Sequence, residues 1–267
     1  MKVFFLFCTA LLLLIPSCSF PTSDDVEQVD ALTSIYARAI REGDAKALAY
    51  ALDVNFPGRT KELEQLRYRS MLLSSVSFFK HSFQVTDSSL LARTITGKMV
   101  YTVSYTEKGQ KVPTVKQDRV ALFTFRKGRR GWKISKIVKV KGSGTVVPQD
   151  VVRAVWHALD TRIAALNNKD IALMEAILSS RMPKRAQVID DLKKSLHTFK
   201  DIVYVLDNRM PVRITAKKAE VVQRYALRIT LPDGTTQKMP GMVERLTLES
   251  TDTGEWVITG GLGDDDD

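Results

Sequence analysis

The sequence is poor in the residues that build covalent or metal-based sites. It has 2 cysteines among 267 residues, Cys8 and Cys18, and both lie close to the N-terminus. From position 19 onward, a disulfide framework, a cysteine zinc site and a cysteine nucleophile are all excluded. The fold must therefore be held by its hydrophobic core alone.

Histidine and glycine motifs are equally scarce. None of the 3 histidines, His81, His157 and His197, has a partner at a metal-ligand spacing such as His-x-x-x-His. The glycines of GRRG at 128–131 sit in a predicted turn, without the strand and helix that flank a phosphate-binding loop. A Gly-x-Ser-x-Gly elbow is also absent. We therefore expect neither a metal nor a cofactor.

The N-terminal apolar run is too short to cross a bilayer. It extends from Val3 to Ile15 after Met1-Lys2, whereas a membrane-spanning helix needs about 20 apolar residues. A basic start followed by a short apolar region is typical of a signal peptide, which we predict over residues 1–17.

The residues Ile15-Pro16-Ser17-Cys18 resemble the lipobox of bacterial lipoproteins. This resemblance implies cleavage before Cys18, acylation of that cysteine, and a lipidated tether over residues 18–25. Pro16 departs from the small residue that is usual at its position. The alternative is ordinary secretion, with the small residues around Cys18 as the cleavage site. The expected location is thus a membrane, as an exported lipoprotein, and the outer membrane if the organism has one.

Positive charge is concentrated in the first half of the chain. The formal net charge is +10; residues 18–145 hold 22 Lys or Arg against 12 Asp or Glu, and residues 146–267 hold 17 against 18. The densest segment is RKGRRGWKISKIVKVKG at 126–142, and no acidic residue lies between Arg119 and Gln149. Strand alternation predicts that Lys133, Lys139 and Lys141 share one side.

This basic segment has two interpretations. Lysines on an edge strand protect it against aggregation, but a dense basic face also attracts anions. The candidate anion-binding residues are Lys127, Arg129, Arg130, Lys133, Lys136, Lys139 and Lys141. Because an exported protein seldom meets nucleic acid, we expect an anionic lipid, a glycolipid or a cell-wall polymer as partner, and no nucleic acid.

The chain repeats itself across a segment of small residues. ALTSIYARAIREGDAKALAYAL at 31–52 is matched by HALDTRIAALNNKDIALMEAIL at 157–178, GWKI at 131 by EWVI at 255, and ITGK at 95 by ITAK at 214. Such self-similarity indicates an internal duplication. We predict a first repeat over 26–141, a linker over 142–149, a second repeat over 150–262, and an acidic tail over 263–267.

Each repeat changes its hydrophobic period once. Helical spacing comes first, and alternation with a period of two follows. Asp44 and Asp170 each precede a short helical segment, where a carboxylate can accept hydrogen bonds from free amides. Helices followed by an antiparallel sheet predict an α+β class, with N-terminal helices packed on a curved sheet in each repeat.

Each repeat resembles the nuclear transport factor two-like superfamily, which has a cystatin-like α+β cone fold. The resemblance is carried by the helix junctions REGDAKAL and NNKDIALM and by the late strands with Trp132 and Trp256. It implies a pocket in each repeat and packing of the two repeats on each other. The superfamily includes isomerases, hydrolases and dehydratases as well as binding modules, so the resemblance implies no single function.

Asp118 and Glu244 are the candidate catalytic carboxylates. Each comes just before a strand, and we predict that they occupy the same repeat position. Facing the cone, they would suit proton transfer; alternatively, they pair with an arginine or face water. We predict an exported, lipid-anchored envelope protein that acts as a binding or scaffolding module. The alternative is a small hydrolase or isomerase that uses one of these carboxylates as acid or base.

Overall fold

The computed structural model describes residues 21–89 and 93–261. The predicted signal peptide over 1–17, Cys18, the first part of the tether and the acidic tail over 263–267 lie outside the described residues. Within the described ranges, no helix is both long enough and apolar enough to span a membrane.

The chain folds into two α+β halves with the same order of elements. The first half contains α1 (Ser23–Glu42), α2 (Ala45–Ala51), α3 (Arg59–Leu72), β1 (Leu73–Ser89), β2 (Thr94–Glu107), β3 (Thr114–Gly128) and β4 (Gly131–Lys139). After β5 (Thr145–Val146), the second half contains α4 (Gln149–Asn167), α5 (Ile171–Ile177), α6 (Arg185–Thr198), β6 (Asp201–Ile214), β7 (Lys218–Thr230), β8 (Thr236–Ser250) and β9 (Trp256–Gly260). The two antiparallel sheets have the orders β1-β2-β3-β4 and β6-β7-β8-β9. The predicted fold class is confirmed.

The helix starts follow from side-chain caps. Asp44 Oδ1 accepts hydrogen bonds from two amides at the start of α2, and Asp170 Oδ1 accepts one from Leu173 at the start of α5. Both predicted caps are therefore confirmed. α1 begins at Ser23, earlier than residue 26, because the Thr22 hydroxyl accepts a hydrogen bond from the Asp25 amide at 3.2 Å. The helix thus includes the last residues of the predicted tether.

Matching bulges define which residues of the two sheets are equivalent. The β1–β2 register shifts between Lys80 and Ser82, and the β6–β7 register shifts between Leu206 and Asn208. Each half also has one parallel bridge to its last strand, Leu52 to Ile134 and Leu178 to Ile258. Counting from these marks aligns β2 with β7 and β3 with β8 residue by residue.

One predicted repeat match is wrong. Ile95 lies at the start of β2 and pairs with Phe125, and the residue that takes this place in the second half is Ala219, which pairs with Leu248. Ile214 instead ends β6. ITGK and ITAK are thus similar in letters but lie on different strands.

The segment predicted as a linker is packed against the first sheet. β5 pairs with β3, and the Val147 amide donates a hydrogen bond to the Val115 carbonyl at 3.0 Å. Gly144, with φ of 72°, lies so close to the backbone at Gln117 that a side chain would collide with it. Val115 and Val147 are both buried in the core of the second half. The connection therefore fixes the two halves together.

The edge strand β6 lies on the outer face of the first sheet. Three polar side chains, one each from β1, β2 and β3, bind its free backbone groups. These contacts are Ser77 Oγ to Arg209 O at 2.7 Å, Thr102 Oγ1 to Val212 O at 3.0 Å, Gln117 Nε2 to Ile214 O at 2.7 Å, and Ile214 N to Gln117 Oε1 at 2.9 Å. A free strand edge inside a protein needs such partners.

We expect Gln117→Ala to destabilise the whole chain by about 2 kcal/mol or more, because two buried backbone groups of Ile214 lose their partner. Urea unfolding of the full chain measures this. Gln110→Ala serves as the control, since Gln110 is exposed and belongs to the same repeat. Equal effects of the two substitutions would contradict a role for Gln117 in joining the halves.

Candidate functional site

Each half has a cavity between its helices and its sheet, in equivalent places. The cavity of the first half measures about 540 Å³ and that of the second about 960 Å³. Tyr36, Leu66 and Tyr101 line the first. Arg162, Leu192 and Tyr225 occupy the same positions in the second. The two halves therefore contain two versions of one cavity.

The two versions differ in chemistry at four positions under the helix. In the first half they are apolar or aromatic: Tyr36 on α1 and, across three neighbouring strands, Phe83, Met99 and Ala121. In the second half they are polar: Arg162 on α4 and, across the matching strands, Arg209, Gln223 and Glu244. We call these last four residues the polar floor.

The polar floor forms a continuous hydrogen-bond chain. Arg162 donates from Nη1 and Nη2 to the two oxygens of Glu244, at 2.5 and 2.9 Å. Gln223 Nε2 donates to Glu244 at 3.4 Å, and its Oε1 accepts from Arg209 Nε at 2.8 Å. Arg209 Nη1 donates to Asp160 at 2.6 Å on the outside of the network. These hydrogen bonds thus run without a break from Glu244 at the cavity to Asp160 on the exposed surface of α4.

The polar floor keeps unused hydrogen-bonding capacity. Arg162 is 4% exposed and Arg209 is 7% exposed. Arg162 Nε and Arg209 Nη2 are buried and have no hydrogen-bond partner among the described residues. Burial lowers the pKa of the Arg209 guanidinium, and Asp160 opposes that shift. Burial disfavours the charged form of Tyr225 as well, and for a phenol this raises the pKa, so the hydroxyl in the cavity wall is neutral.

The rest of the second cavity is mixed in character. Methionines and aliphatic residues form much of the wall, and hydroxyl and charged groups lie among them. The main apolar residues are Met174, Met182, Val188, Leu192, Met242 and Val243. Methionine side chains adapt to irregular shapes. This cavity can accommodate a small molecule with an apolar body and a polar group directed at Arg162 and Glu244.

The two predicted carboxylates are not equivalent. Glu244 pairs with Gln223, and its counterpart in the first half is Ala121, which pairs with Met99. Asp118 lies in a bulge of β3 with φ of 53° and is exposed. The prediction that they share a repeat position is therefore wrong. The offset between equivalent positions falls from 126 residues at Tyr36 and Arg162 to 123 at Ala121 and Glu244, because the strand connections are shorter in the second half. The counterpart of Asp118 is therefore Gly241, which lies in the matching bulge of β8.

The predicted basic stripe is also wrong. A bulge at Ser135 interrupts the β3–β4 pairing, so Lys133 pairs with Arg126 but Lys139 pairs with the buried Ala121. Lys133 and Lys139 consequently lie on opposite faces of the sheet. Lys139 lines the cavity of the first half. The remaining exposed members of the predicted set are Lys127, Arg129 and Arg130 around the β3–β4 turn, Lys136 on β4 and Lys141 beyond it.

Two of these lysines are engaged in contacts within the first half. Lys127 Nζ lies 2.7 Å from Asp25 Oδ1, and Trp132 Nε1 donates to the same oxygen at 2.8 Å. These hydrogen bonds lower the pKa of the Asp25 carboxyl to about 2. Lys133 Nζ donates to the Tyr50 carbonyl at 2.7 Å and lies over the Tyr50 ring. The contacts of Lys127 and Lys133 thus hold α1 and α2 against the sheet.

Sequence reasoning missed Arg162, Arg209 and Gln223. One signal was present, because Arg162 aligns with Tyr36 in the matched segments and interrupts the apolar period of α4. Arg209 and Gln223 carried no comparable signal. The residues of the first half that correspond to them can be identified only from the strand registers and their bulges. Among the described residues, no group of three or more His, Cys, Asp or Glu side chains could hold a metal ion.

No family model matches the sequence, and no curated protein matches it significantly. Several solved structures match just under half of the chain. A nuclear transport factor 2-like superfamily protein from Salmonella enterica serovar Typhimurium is 15% identical, covers 43% of this chain and 94% of its own, and has a TM-score of 0.37. A hexachlorocyclohexane dehydrochlorinase from Novosphingobium barchaimii LL02 is 11% identical. It covers 47% of this chain and 94% of its own, and its TM-score is 0.39. A protein with a cystatin-like fold from Caulobacter vibrioides is 18% identical. It covers 41% of this chain and 85% of its own, and its TM-score is 0.34. Function therefore has to follow from the chemistry of the cavity itself.

The first half supplies a direct test of what the polar floor contributes to stability. We expect Glu244→Ala alone to destabilise the chain by about 3–5 kcal/mol, because it leaves the Arg162 charge buried and unpaired. Replacing the whole polar floor by its first-half counterparts should recover that loss, since apolar replacements of buried ion pairs are often neutral or stabilising. This variant carries Arg162→Tyr, Arg209→Phe, Gln223→Met and Glu244→Ala. Urea unfolding of both variants is the measurement, and a fourfold variant less stable than Glu244→Ala would contradict the expectation.

Proposed function

We propose that this protein is an exported, lipid-anchored protein of the cell envelope that binds a small molecule in the cavity of its second repeat. One observation supports the binding role above all others: the buried Arg162–Glu244 pair at the cavity floor. Burying two charges costs several kcal/mol per ion in desolvation. The first repeat builds the same fold with Tyr36 and Ala121 at these positions. A pair that the fold does not need is well suited to recognising a ligand.

The ligand class follows from the groups that the cavity offers. Arg162 and Glu244 line the cavity as a charged pair, and Tyr225 adds a phenol hydroxyl to its wall. Around them lie the methionines and aliphatic residues of the wall. Cavities that combine apolar walls with a few convergent polar groups bind small organic molecules. The ligand we propose has an apolar body and one polar or anionic group.

A binding role suits Glu244 better than catalysis. Both of its carboxylate oxygens accept hydrogen bonds from Arg162, at 2.5 and 2.9 Å. This bidentate contact holds the carboxylate in one orientation against Arg162, as a fixed recognition group requires. Asp118, the other candidate, belongs to the first repeat. A small hydrolase or isomerase that uses Glu244 remains the second candidate, because this carboxylate does line the cavity.

A fluorescent probe with apolar rings and one anionic group, anilinonaphthalene sulfonate, tests the binding role. We expect saturable binding to the full chain, and a loss of at least about tenfold in affinity when the polar floor is replaced, since hydrogen bonds to charged groups are each worth about 1.5–3 kcal/mol. Met242→Trp should also weaken binding by filling the second cavity. Its matched control is Arg119→Trp, because Arg119 is the counterpart of Met242 and lines the first cavity. Unchanged binding by Met242→Trp, or equal losses in both tryptophan variants, would count against the proposal.

The anchor is tested separately. We expect Cys18→Ser to abolish incorporation of a palmitate analogue and to leave an unprocessed precursor, because the cysteine is both the cleavage signal and the acylated residue. Cys8→Ser is the matched control, since Cys8 lies within the predicted signal peptide and its loss should leave labelling intact. Metabolic labelling followed by electrophoresis is the measurement. Normal cleavage and release of the Cys18→Ser protein would favour ordinary secretion.

A further inference from the structure

We propose that the end of the first repeat that carries the β3–β4 turn is a membrane-contact surface for bilayers with anionic phospholipids. We call it the turn face and define it by Arg93, Arg126, Arg129, Arg130 and Val54. The orientation of this face towards the membrane rests on the proposed lipid anchor. Its affinity for anionic lipid does not, and the experiment below separates the two.

The first observation is where the described chain begins. Pro21 lies in a cleft of about 400 Å³ together with Arg93, Lys127 and Trp132. Cys18 precedes Pro21 by three residues, a span of at most about 11 Å when fully extended. An acyl chain on Cys18 therefore holds this end of the first repeat at the bilayer surface.

The second observation is a group of exposed arginines at this end. The Lys127 amide donates to the Arg93 carbonyl at 2.9 Å, which brings the end of the β1–β2 connection next to the β3–β4 turn. Arg93, Arg126, Arg129 and Arg130 are all exposed. Their guanidinium groups make no hydrogen bond or ion pair within the described ranges. Unpaired cations of this kind remain available to phosphate oxygens.

The arginines of the turn face outnumber the carboxylates that lie beside them. Asp25 is bound to Lys127 and Trp132, and their hydrogen bonds hold it in the charged state. Asp53 accepts a hydrogen bond from the Asn55 amide at 2.8 Å, and Asp24 is exposed at the start of α1. Within the described ranges, Asp53 is the one carboxylate that lines the cleft with Arg93, Arg126 and Arg129.

The third observation is an exposed aliphatic residue in the same place. Val54 is 81% exposed and lines a cleft with Arg93, Arg126 and Arg129. An apolar side chain surrounded by arginines suits the boundary between headgroups and acyl chains, where the charges bind phosphates and the apolar group enters the lipid. The antiparallel order β1-β2-β3-β4 brings the β1–β2 and β3–β4 connections to the same end of the repeat, so their cations form one surface.

Vesicle co-sedimentation of the mature chain with Cys18→Ser tests the turn face without the acyl chain. We expect binding at low salt to phosphatidylcholine vesicles that contain phosphatidylglycerol, and none to pure phosphatidylcholine. Each arginine at an anionic surface contributes on the order of fivefold in affinity. The fourfold variant Arg93→Gln, Arg126→Gln, Arg129→Gln, Arg130→Gln should therefore bind more than about a hundredfold more weakly. Binding by the parent chain should weaken as salt approaches physiological strength, where the Debye length is about 8 Å.

The matched control removes four positive charges from the second repeat. Lys200→Gln, Lys217→Gln, Arg228→Gln and Lys238→Gln change the net charge equally, and these residues are exposed. This variant should retain vesicle binding to within about threefold. Equal losses in the two variants would reduce the effect to overall charge, and no binding by the parent chain at low salt would overturn the proposal. Anilinonaphthalene sulfonate binding in the second cavity should be the same in all three proteins, so failure of the turn face is distinct from failure of the cavity.

A fluorophore reports the orientation directly. An environment-sensitive dye on Val54→Cys, in the same Cys18→Ser background, should shift to shorter wavelength when anionic vesicles are added. The same dye on Val205→Cys, an exposed aliphatic position of the second repeat, should not shift. A shift at position 205 alone would place the membrane contact on the other repeat and overturn the proposal.

Discussion

The backbone of strand β6 has to find partners along its free edge, and the relation between the two halves depends on how it does so. The outer face of the first sheet supplies a hydroxyl or an amide from each of three neighbouring strands, through Ser77, Thr102 and Gln117. Because buried backbone groups without partners cost free energy, this row of side chains selects one placement of β6. The packed connection at Val147 reinforces that placement.

The same strand connects the interface with the second cavity. The Arg209 carbonyl accepts the hydrogen bond from Ser77, while the Arg209 side chain donates to Gln223 within the polar floor. A change in the position of β6 would therefore move one end of the hydrogen-bond chain that reaches Glu244. The first half thus helps to position the polar floor although it contributes no side chain to it.

Comparison of the two halves shows which residues of the second cavity the fold does not require. One architecture is built twice, once over an aromatic and apolar floor and once over a buried ion pair with two arginines. In the first half, Tyr36 packs edge-on against Phe123 at 5.4 Å, as an ordinary core residue does. In the second half, Arg162 takes that place and keeps an unused donor. The basic turn face and the polar floor belong to different repeats, so anchoring and binding are proposed for different halves of one chain.

The sequence by itself determined the α+β class, the repeated order of elements and the starts of α2 and α5, because these depend on local periods and on the caps Asp44 and Asp170. Tertiary structure decided which strand residues meet, because side chains alternate with a period of two and each bulge reverses the faces that follow it. The bulge at Ser135 separated Lys133 from Lys139. Shorter strand connections in the second half made Gly241, and not Glu244, the counterpart of Asp118. Arg162 was visible in the sequence as a charge on the apolar side of α4. That it pairs with Glu244 was decided only by packing α4 against β8, since the two residues are 82 positions apart in the chain.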